Sequence, residues 1–393
     1  MGHQRFRRIL VFLFAISCVS GGCADHRADR GAADYAATAS VVRSETWAAS
    51  AANDSGRTVT EVFPLGANEY LGVDRRAALI FRFSLDGTSG AAAGGRGEGP
   101  GDLGSPCCLA YSVGDSSKIW LFEQRNRRYS EFDVSTATPT FVRSVAAPAG
   151  NPLGSVVVDA RGVFTQVSIS GGATDSTSRY VIVRVDSTGR MLSGDTLPPL
   201  AGGRVDIAWL RRPAGQGLWT AIGIVRPFGS VELAAMAGDG AVARGLSGRY
   251  LIELRPRGGT VLMVGDSSVN GPALSPREAD SARANLAEQA KNAGMALQSL
   301  PFGVPKQKTP LKGLSFDATG RLWVWLSTTD GASNAADVYS GTGKLIGRFM
   351  WPAEITPYFS SLHGLEGIGW SSEDSGFRLL HKLTFVKPTT PRE

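Results

Sequence analysis

The chain has few side chains that could cross-link it or bind a transition metal. It contains 4 cysteines and 4 histidines in 393 residues, and Cys18 and Cys23 both lie near the N-terminus. The remaining thiols are those of Cys107 and Cys108, which we place at the start of a strand, either free or joined in a strained ring. These shortages exclude a disulfide framework and argue against zinc, so stability must come from a large core.

Long apolar runs are also missing, and the one near the N-terminus is too short to cross a membrane. Residues 9–19 form a run of only 11 mostly apolar residues, whereas a membrane-spanning helix needs about 20. Arg5, Arg7 and Arg8 precede this run and small residues follow it, which is typical of a cleaved secretion signal. We therefore predict a signal peptide over residues 1–22 and export of the mature chain.

The end of the predicted signal resembles that of bacterial lipoproteins, in which small residues precede a cysteine that receives the lipid. Residues 20–22 are small and Cys23 follows them. By that resemblance, Cys23 anchors the protein to a membrane, in the periplasm or at the cell surface; secretion without a lipid is the alternative. Residues 23–44 then form a flexible tether, followed by one folded domain over residues 45–393.

Little positive charge remains once the signal is removed. The full chain has a formal net charge of +6, and the three arginines of residues 1–22 account for half of it, which leaves +3. No dense run of Lys and Arg with interleaved aromatic residues is present. We therefore expect no nucleic-acid partner, and membrane contact only through the lipid anchor.

The body of the chain has the pattern of strands and tight turns. Its 49 glycines and 20 prolines are typical of a chain with many turns, and short β-branched or alternating runs lie between Gly and Asp residues. One unit recurs, with an apolar run, a polar turn and a second apolar run that contains aromatics. Such repetition indicates a solenoid or a propeller. The units lie at residues 69–87, 118–135, 162–189, 240–259 and 321–349.

The best-formed unit, residues 95–133, resembles an NHL repeat. That family has a glycine-rich loop before a strand, then an acidic residue with Asn and Arg three and five positions later, and an aromatic that closes the next strand. The matching residues here are Gly99, Pro100, Gly101, Pro106, Glu123, Asn126, Arg128 and Phe132. In the first unit Asp74 keeps the acidic position, but Ala77 and Leu79 replace Asn and Arg.

More broadly, the chain resembles exported six-bladed β-propeller lipoproteins related to NHL proteins. The resemblance implies that the glycine-rich loop joins the first two blades and that an insertion interrupts later ones. We expect an all-β, six-bladed propeller with roughly 45 residues per blade, although seven blades of about 38 would also fit the length. The closing blade would combine residues 365–370 and 377–386 with a strand from about residues 42–50.

The insertion at about residues 266–312 carries the signals of one helix. Ser275 is followed by Pro276 and, three residues on, by Glu278, which predicts a capped helix start. A Pro- and Lys-rich stretch follows and should be extended. This insertion either forms a lid over the central channel or is decoration without a role. A further extra segment spans residues 199–225.

Several motifs resemble those of cofactor-binding or ligand-binding sites, but their surroundings in the sequence do not support such roles. Gly99, Gly101 and Gly104 satisfy GxGxxG, but the motif opens no helix, so a turn between blades is the better interpretation. Trp323 and Trp325 lie on one strand face, where they either pack between blades or form a sugar platform. We therefore assign no catalytic residue.

Acidic and amide residues in the loops are the remaining candidates for a binding site. A channel mouth could gather them around Ca²⁺, which prefers oxygen ligands. Turn roles explain them more simply, and Arg128 could pair with Glu123 or Glu131 across a hairpin. The candidates are Asp74, Glu98, Asp102, Glu123 and Asn126.

These patterns favour a binding or scaffold module of the cell envelope over an enzyme. A rigid ring with loops at its rim suits a partner protein, a peptide or a glycan, and no cofactor is implied. The alternative is a metal-dependent propeller hydrolase or lactonase. It would need a Ca²⁺-type site at the channel mouth, where an activated water could react.

Overall fold

The computed structural model describes residues 59–385, apart from residues 67–68, 85–88, 113–116, 148–155, 160, 171–178, 199, 201–205, 216–217, 330 and 373–377. The predicted signal peptide, Cys23, the tether and the strand at residues 42–50 lie outside this part and remain predictions. No helix in the described part is long and apolar enough to cross a membrane.

The first half of the fold consists of three four-stranded antiparallel meanders, in which strands that follow one another along the chain pair in the sheet. Blade 1 contains β1 (Glu61–Pro64), β2 (Glu69–Asp74), β3 (Leu79–Ser84) and β4 (Ser89–Gly94). Blade 2 contains β5 (Pro106–Ser112), β6 (Lys118–Glu123), β7 (Arg128–Asp133) and β8 (Thr140–Ala146). Blade 3 contains β9 (Val156–Val158), β10 (Phe164–Ser170), β11 (Arg179–Val185) and β12 (Met191–Thr196).

The second half contains three more blades and two additional segments. An extra hairpin consists of β13 (Ile207–Gly215) and β14 (Leu218–Val225). Blade 4 contains β15 (Glu232–Met236), β16 (Val242–Leu246), β17 (Leu251–Arg255) and β18 (Leu262–Gly265), and the helix α1 (Pro276–Asn292) follows it. Blade 5 contains β19 (Leu311–Phe316), β20 (Leu322–Leu326), β21 (Ser333–Tyr339) and β22 (Leu345–Pro352). Blade 6 contains β23 (Thr356–Pro357), β24 (Glu366–Ser372) and β25 (Arg378–Thr384).

The six-bladed propeller and its single inserted helix are confirmed. Each unit that recurs in the sequence contains the second and third strands of one blade, from blade 1 to blade 5, and the unit at residues 321–349 also reaches into β22, the fourth strand of blade 5. These strands bury apolar side chains on both faces because each blade is packed between two others. The glycine-rich loop joins blades 1 and 2, as the family resemblance implies, and Cys107 and Cys108 begin β5.

The blades form a ring with their first strands innermost. The parallel pairing of β5 with β9, in which Ala110 lies opposite Val156, joins blades 2 and 3. Blade 6 closes the ring against blade 1, where Ile368 and Leu380 share a buried cluster with Val62. The Tyr358 hydroxyl also donates to the Val59 carbonyl oxygen over 3.2 Å.

The antiparallel order of the strands gives the ring two distinct sides. Turns between second and third strands and the connections between blades lie on one side, which we call the loop face. Turns between first and second strands, and between third and fourth strands, lie on the opposite face. There an Asp and a Gly three residues later form tight turns, in which the carboxylate accepts backbone N–H groups two and four residues after the Asp. The carboxylates are those of Asp159, Asp186 and Asp317.

The helix of the insertion begins where the sequence predicts. The Glu278 N–H donates to Ser275 Oγ over 3.3 Å, and the Ser275 N–H donates to Glu278 Oε2 over 3.0 Å, which completes a capping box. Leu286 and Ala290 on the buried side of α1 pack against Ile224 of β14. The two additional segments therefore pack on each other. We call residues 207–225 and 266–310 together the cap.

A buried lysine fastens the cap to blade 5. Lys308 Nζ lies 2.6 Å from Glu278 Oε1 and donates to the Thr328 carbonyl oxygen over 2.8 Å. This pairing satisfies the charge that burial would otherwise penalise. Its hydrogen bond to Glu278 also holds the pKa of that carboxyl at about 2. The insertion is thus a fixed part of the loop face.

Candidate functional site

The structure places Glu123 at the centre of a buried hydrogen-bond network in blade 2. Its Oε1 accepts from Arg128 Nε over 2.9 Å and from the Ser130 hydroxyl, and its Oε2 accepts from Gly104 N over 2.9 Å and Asn126 Nδ2 over 2.7 Å. A carboxylate has about four lone-pair sites, so its acceptor capacity is used inside the protein. The predicted pairing of Arg128 is thereby settled in favour of Glu123, whereas Glu131 pairs with Arg143.

The same network holds the glycine-rich loop on blade 2. Arg128 donates to three carbonyl oxygens of the loop, and Asn126 Nδ2 donates to the Gly97 carbonyl oxygen over 2.9 Å. A Cβ on Gly104 would lie 2.4 Å from the Asn126 side chain, so only glycine fits there. The side chains of Glu123, Asn126 and Arg128 therefore hold the loop in place, and we call them the loop clamp. The Arg128 acceptors are Glu98 O at 3.0 Å, Gly99 O at 3.0 Å and Asp102 O at 2.8 Å.

The other predicted site residues lie around this clamp. Asp74 is buried at the equivalent turn of blade 1, where its Oδ1 accepts from the Ala77 N–H over 2.8 Å. Asp102 Oδ2 accepts from the Gly99 N–H over 3.1 Å, and the exposed Glu98 carboxylate lies 3.9 Å from Arg125 Nη2. No group of three His, Cys, Asp or Glu side chains in the described part could hold a metal ion. A ligand-binding role for the five residues remains a prediction.

A cleft of about 750 Å³ lies elsewhere on the loop face, beside the cap. One wall is the turn that leads into blade 4, residues 226–231, and the other is one side of α1, from its N-cap Ser275 to Gln289. Gly331, in the turn between the second and third strands of blade 5, completes the lining. We call this the cap cleft, because the packing of α1 against β14 sets its width.

Phe228 presents an aromatic side chain to the cap cleft in an unusual backbone conformation. Its φ of 55° is left-handed, and the Gly229 N–H donates to the Arg226 carbonyl oxygen over 2.9 Å to close the turn. Glycine is the residue that this position of a turn favours, since it has no Cβ that would clash with the backbone. The Phe228 side chain is also 37% exposed. The turn therefore holds an apolar ring at the surface at a cost in backbone strain.

Polar groups surround that ring. Arg226 donates to the Gly303 carbonyl oxygen over 2.9 Å, which fixes its guanidinium on the cap. Arg277, in the first turn of α1, is exposed and forms no ion pair with any residue that the structure describes. Asn285 Oδ1 accepts from Gln289 Nε2 over 2.7 Å, so the Asn285 amide N–H groups stay available. The cap cleft thus combines an aromatic face, an unpaired cation and amide donors.

This cleft was not predicted from the sequence. The capped start of α1 was predicted, but no role was predicted for Phe228, although Pro227 and Gly229 on either side of it mark a turn. The signal that could have drawn attention to it is an aromatic between turn residues. The cleft itself depends on the packing between two segments far apart in the sequence.

Blade 6 contains a hydrogen-bonded serine and histidine that were also not predicted from the sequence. Ser371 Oγ lies 2.7 Å from His381 Nε2, the contact of a nucleophile and its base, but both side chains are buried. His381 Nδ1 has no hydrogen-bond partner in the structure. Burial lowers the pKa of His381 below its ordinary 6.5, and the charge of Glu354 opposes this shift. The histidine is therefore neutral near pH 7 and acts as a packed partner of Ser371.

This neutral histidine predicts acid sensitivity of the fold. His381 accepts a proton more readily when unfolded, so its contribution to stability is complete above about pH 6.5 and declines as the pH falls below that value. We expect the free energy of unfolding to decrease between pH 7 and pH 5 in urea titrations. His381→Gln, which keeps a donor near Ser371 but cannot titrate, should flatten this change. Equal slopes for both proteins would contradict the prediction.

Comparison with known proteins gives likenesses of structure only. No protein-family model and no curated protein sequence matches the chain. A member of the DUF4221 family from Bacteroides vulgatus shows 10% identity and a TM-score of 0.47, over 85% of this chain and 93% of that one. Virginiamycin B lyase from Staphylococcus aureus shows 14% identity and a TM-score of 0.40, over 83% and 96%. Likenesses at this level carry no functional assignment.

Proposed function

We propose that the protein is an exported, lipid-anchored binding module of the cell envelope, related to NHL propellers, that holds its ligand in the cap cleft. The ring is a rigid scaffold, and loops on such scaffolds commonly carry the binding residues. The ligand is a glycan or a peptide, because a cleft of about 750 Å³ accommodates a short segment of a polar chain. The glycine-rich loop serves the fold, since the groups of its clamp are paired with each other.

Phe228 is the observation that carries this proposal. A left-handed conformation costs a residue other than glycine about 1–2 kcal/mol, and here it is kept at an exposed aromatic inside a cleft. An aromatic ring can stack on a sugar face or pack on a peptide side chain. Arg277 and Asn285 beside it can then donate hydrogen bonds to carboxylate, hydroxyl or carbonyl oxygens.

Removal of the ring tests the proposal. An array of envelope glycans and peptides, probed with the wild-type protein, should identify a ligand whose affinity falls by roughly 30-fold in Phe228→Ala, since a buried aromatic anchor can contribute about 2 kcal/mol. Met263→Ala is the matched control, because Met263 is an exposed apolar residue on the outer strand β18, away from the cleft. A ligand that binds equally well to both variants would contradict the proposal. Failure of every probe to bind the wild-type protein would do so too.

The strain at Phe228 can be measured separately. Phe228→Gly and Phe228→Ala both lose the ring, but only glycine relieves the backbone, so the glycine variant should be more stable by about 1 kcal/mol. Urea titration compares them directly. Both should bind the ligand equally weakly, which would show that the ring, and not the turn, provides the affinity.

A further inference from the structure

The loop face of blades 1 and 2 carries a cluster of arginines. They lie in the turn between β2 and β3, in the glycine-rich loop and in the turn between β6 and β7. All are exposed or half-buried. We call them the arginine cluster: Arg75, Arg76, Arg96, Arg125 and Arg127.

Contacts between the three segments make the cluster one continuous surface. Arg75 in the turn of blade 1 hydrogen-bonds to Gln124 in the turn of blade 2. Arg96 Nη2 in the glycine-rich loop donates to the Arg76 carbonyl oxygen over 2.7 Å. The loop in turn is clamped by Arg128, so these guanidinium groups are held on a fixed backbone.

The charges of this surface do not cancel. The five arginines face the carboxylates of Glu98, Asp102 and the buried Asp74, which leaves an excess of two positive charges. Asp74 and Glu123 are buried beneath it, and Glu123 is already paired with Arg128. Guanidinium groups bind phosphate in a bidentate manner, and several on one exposed surface suit an extended anionic partner better than a small enclosed ligand.

The N-terminal part of the chain joins the propeller beside this cluster. Thr60, which precedes β1, donates its N–H to the Val73 carbonyl oxygen over 2.8 Å. Val73 is next to Asp74, where the arginine-bearing turn of blade 1 begins. The described chain therefore begins on the loop face at blade 1, 36 residues after the predicted lipid site Cys23, whereas the cap cleft belongs to blades 4 and 5 across the ring.

We propose that the arginine cluster binds the anionic headgroups of the membrane to which the tether leads. The contact orients the propeller, with the loop face of blades 1 and 2 against the bilayer. It adds a second membrane contact to the lipid anchor that the sequence predicts. The headgroup contact itself does not require the cap cleft to bind any ligand.

Vesicle cosedimentation tests this proposal on the mature chain, residues 23–393, with Cys23→Ala so that no lipid is attached. The protein should bind vesicles of phosphatidylcholine with phosphatidylglycerol, but not vesicles of phosphatidylcholine alone, and high salt should release it. Substitution of Arg75, Arg76, Arg125 and Arg127 by Gln should weaken binding by roughly 600-fold, at roughly fivefold for each arginine near the surface.

The matched control removes the same number of charges from the opposite face. Its variant carries Gln at Arg161, Arg190, Arg257 and Arg321, all in turns between first and second or third and fourth strands. Thermal melting of both variants checks that they are folded. Equal loss of binding in the two variants would overturn the proposal, because net charge alone would then explain it. Absence of binding to anionic vesicles would also overturn the proposal. Binding to polyglutamate without binding to the vesicles would do so too, because the partner would then be an acidic polypeptide and not a membrane.

Discussion

Replacement of Glu123 by alanine is expected to lower the free energy of unfolding by about 3–5 kcal/mol, the range for breaking a buried charge pair. The Arg128 guanidinium would lose the carboxylate 2.9 Å from its Nε and would remain largely buried. The Gly104 N–H and the Asn126 amide would also lose an acceptor, since both donate to Glu123 Oε2. The glycine-rich loop should become mobile, since its clamp depends on the orientation of Arg128.

Urea unfolding and hydrogen exchange of the loop at residues 95–105 measure these effects. Glu98→Ala is the matched control, because Glu98 is a carboxylate of the same loop whose side chain is 78% exposed. Its loss should change stability by no more than about 0.5 kcal/mol. If Glu123→Ala unfolded like Glu98→Ala, the structural role of Glu123 would be wrong, and its predicted role in ligand binding would gain support.

Replacement of Trp323 by alanine should have a similarly large effect, about 3–5 kcal/mol for a fully buried aromatic. The Trp323 ring centroid lies 5.5 Å from that of Phe359 and 5.0 Å from that of Phe385. Phe359 follows β23 and Phe385 follows β25, both in blade 6, so the substitution would open a cavity where blade 5 meets blade 6. The Asp317 carboxylate would also lose the Trp323 Nε1–H, which it accepts over 3.0 Å.

Thermal and urea unfolding test this prediction. Trp323→Phe keeps most of the apolar volume and should lose clearly less stability than the alanine variant. Trp325→Ala is a second comparison, because Trp325 is only half-buried on the same side of the strand. If Trp323→Ala lost no more stability than Trp325→Ala, the placement of Trp323 in the core between blades 5 and 6 would be contradicted. The sugar platform proposed as an alternative is excluded for Trp323, since its ring is fully buried.

The repeat pattern predicts the fold well because propeller blades are local structures. Alternating strands and Asp-Gly turns such as that of Asp317 depend on residues within a few positions of each other. The capping box of Ser275 and Glu278 is equally local, and the structure confirms it. The position of Asn126 and Arg128 relative to Glu123 was also visible, although their function as a loop clamp was not.

The candidate site could not be read from the sequence for the opposite reason. The cap cleft exists because Leu286 of α1 packs near Ile224 of β14, two residues in separate insertions. The strain at Phe228 depends on a backbone angle that no composition or spacing reveals. The contact between Ser371 and His381 is diagonal between two neighbouring strands. The residue directly opposite Ser371 in the strand register is Leu379, two positions before His381.

The arginine cluster shows the same limit. Its members are separated in the sequence by up to about fifty positions, so no dense basic run marks them. The turns of blades 1 and 2 bring them together because the turn between the second and third strands lies on the loop face in both blades. Charge patches on propellers should therefore be sought at equivalent turns of neighbouring blades.

Hydrogen exchange of the wild-type protein, with and without the ligand selected by the array, tests most directly whether the ligand binds in the cap cleft. If it does, we expect slower exchange in residues 226–231 and in the first turns of α1, with little change in the glycine-rich loop. Protection of the glycine-rich loop or of the innermost strands, with none at residues 226–231, would contradict it. The binding site would then lie at the centre of the ring and not at the cap.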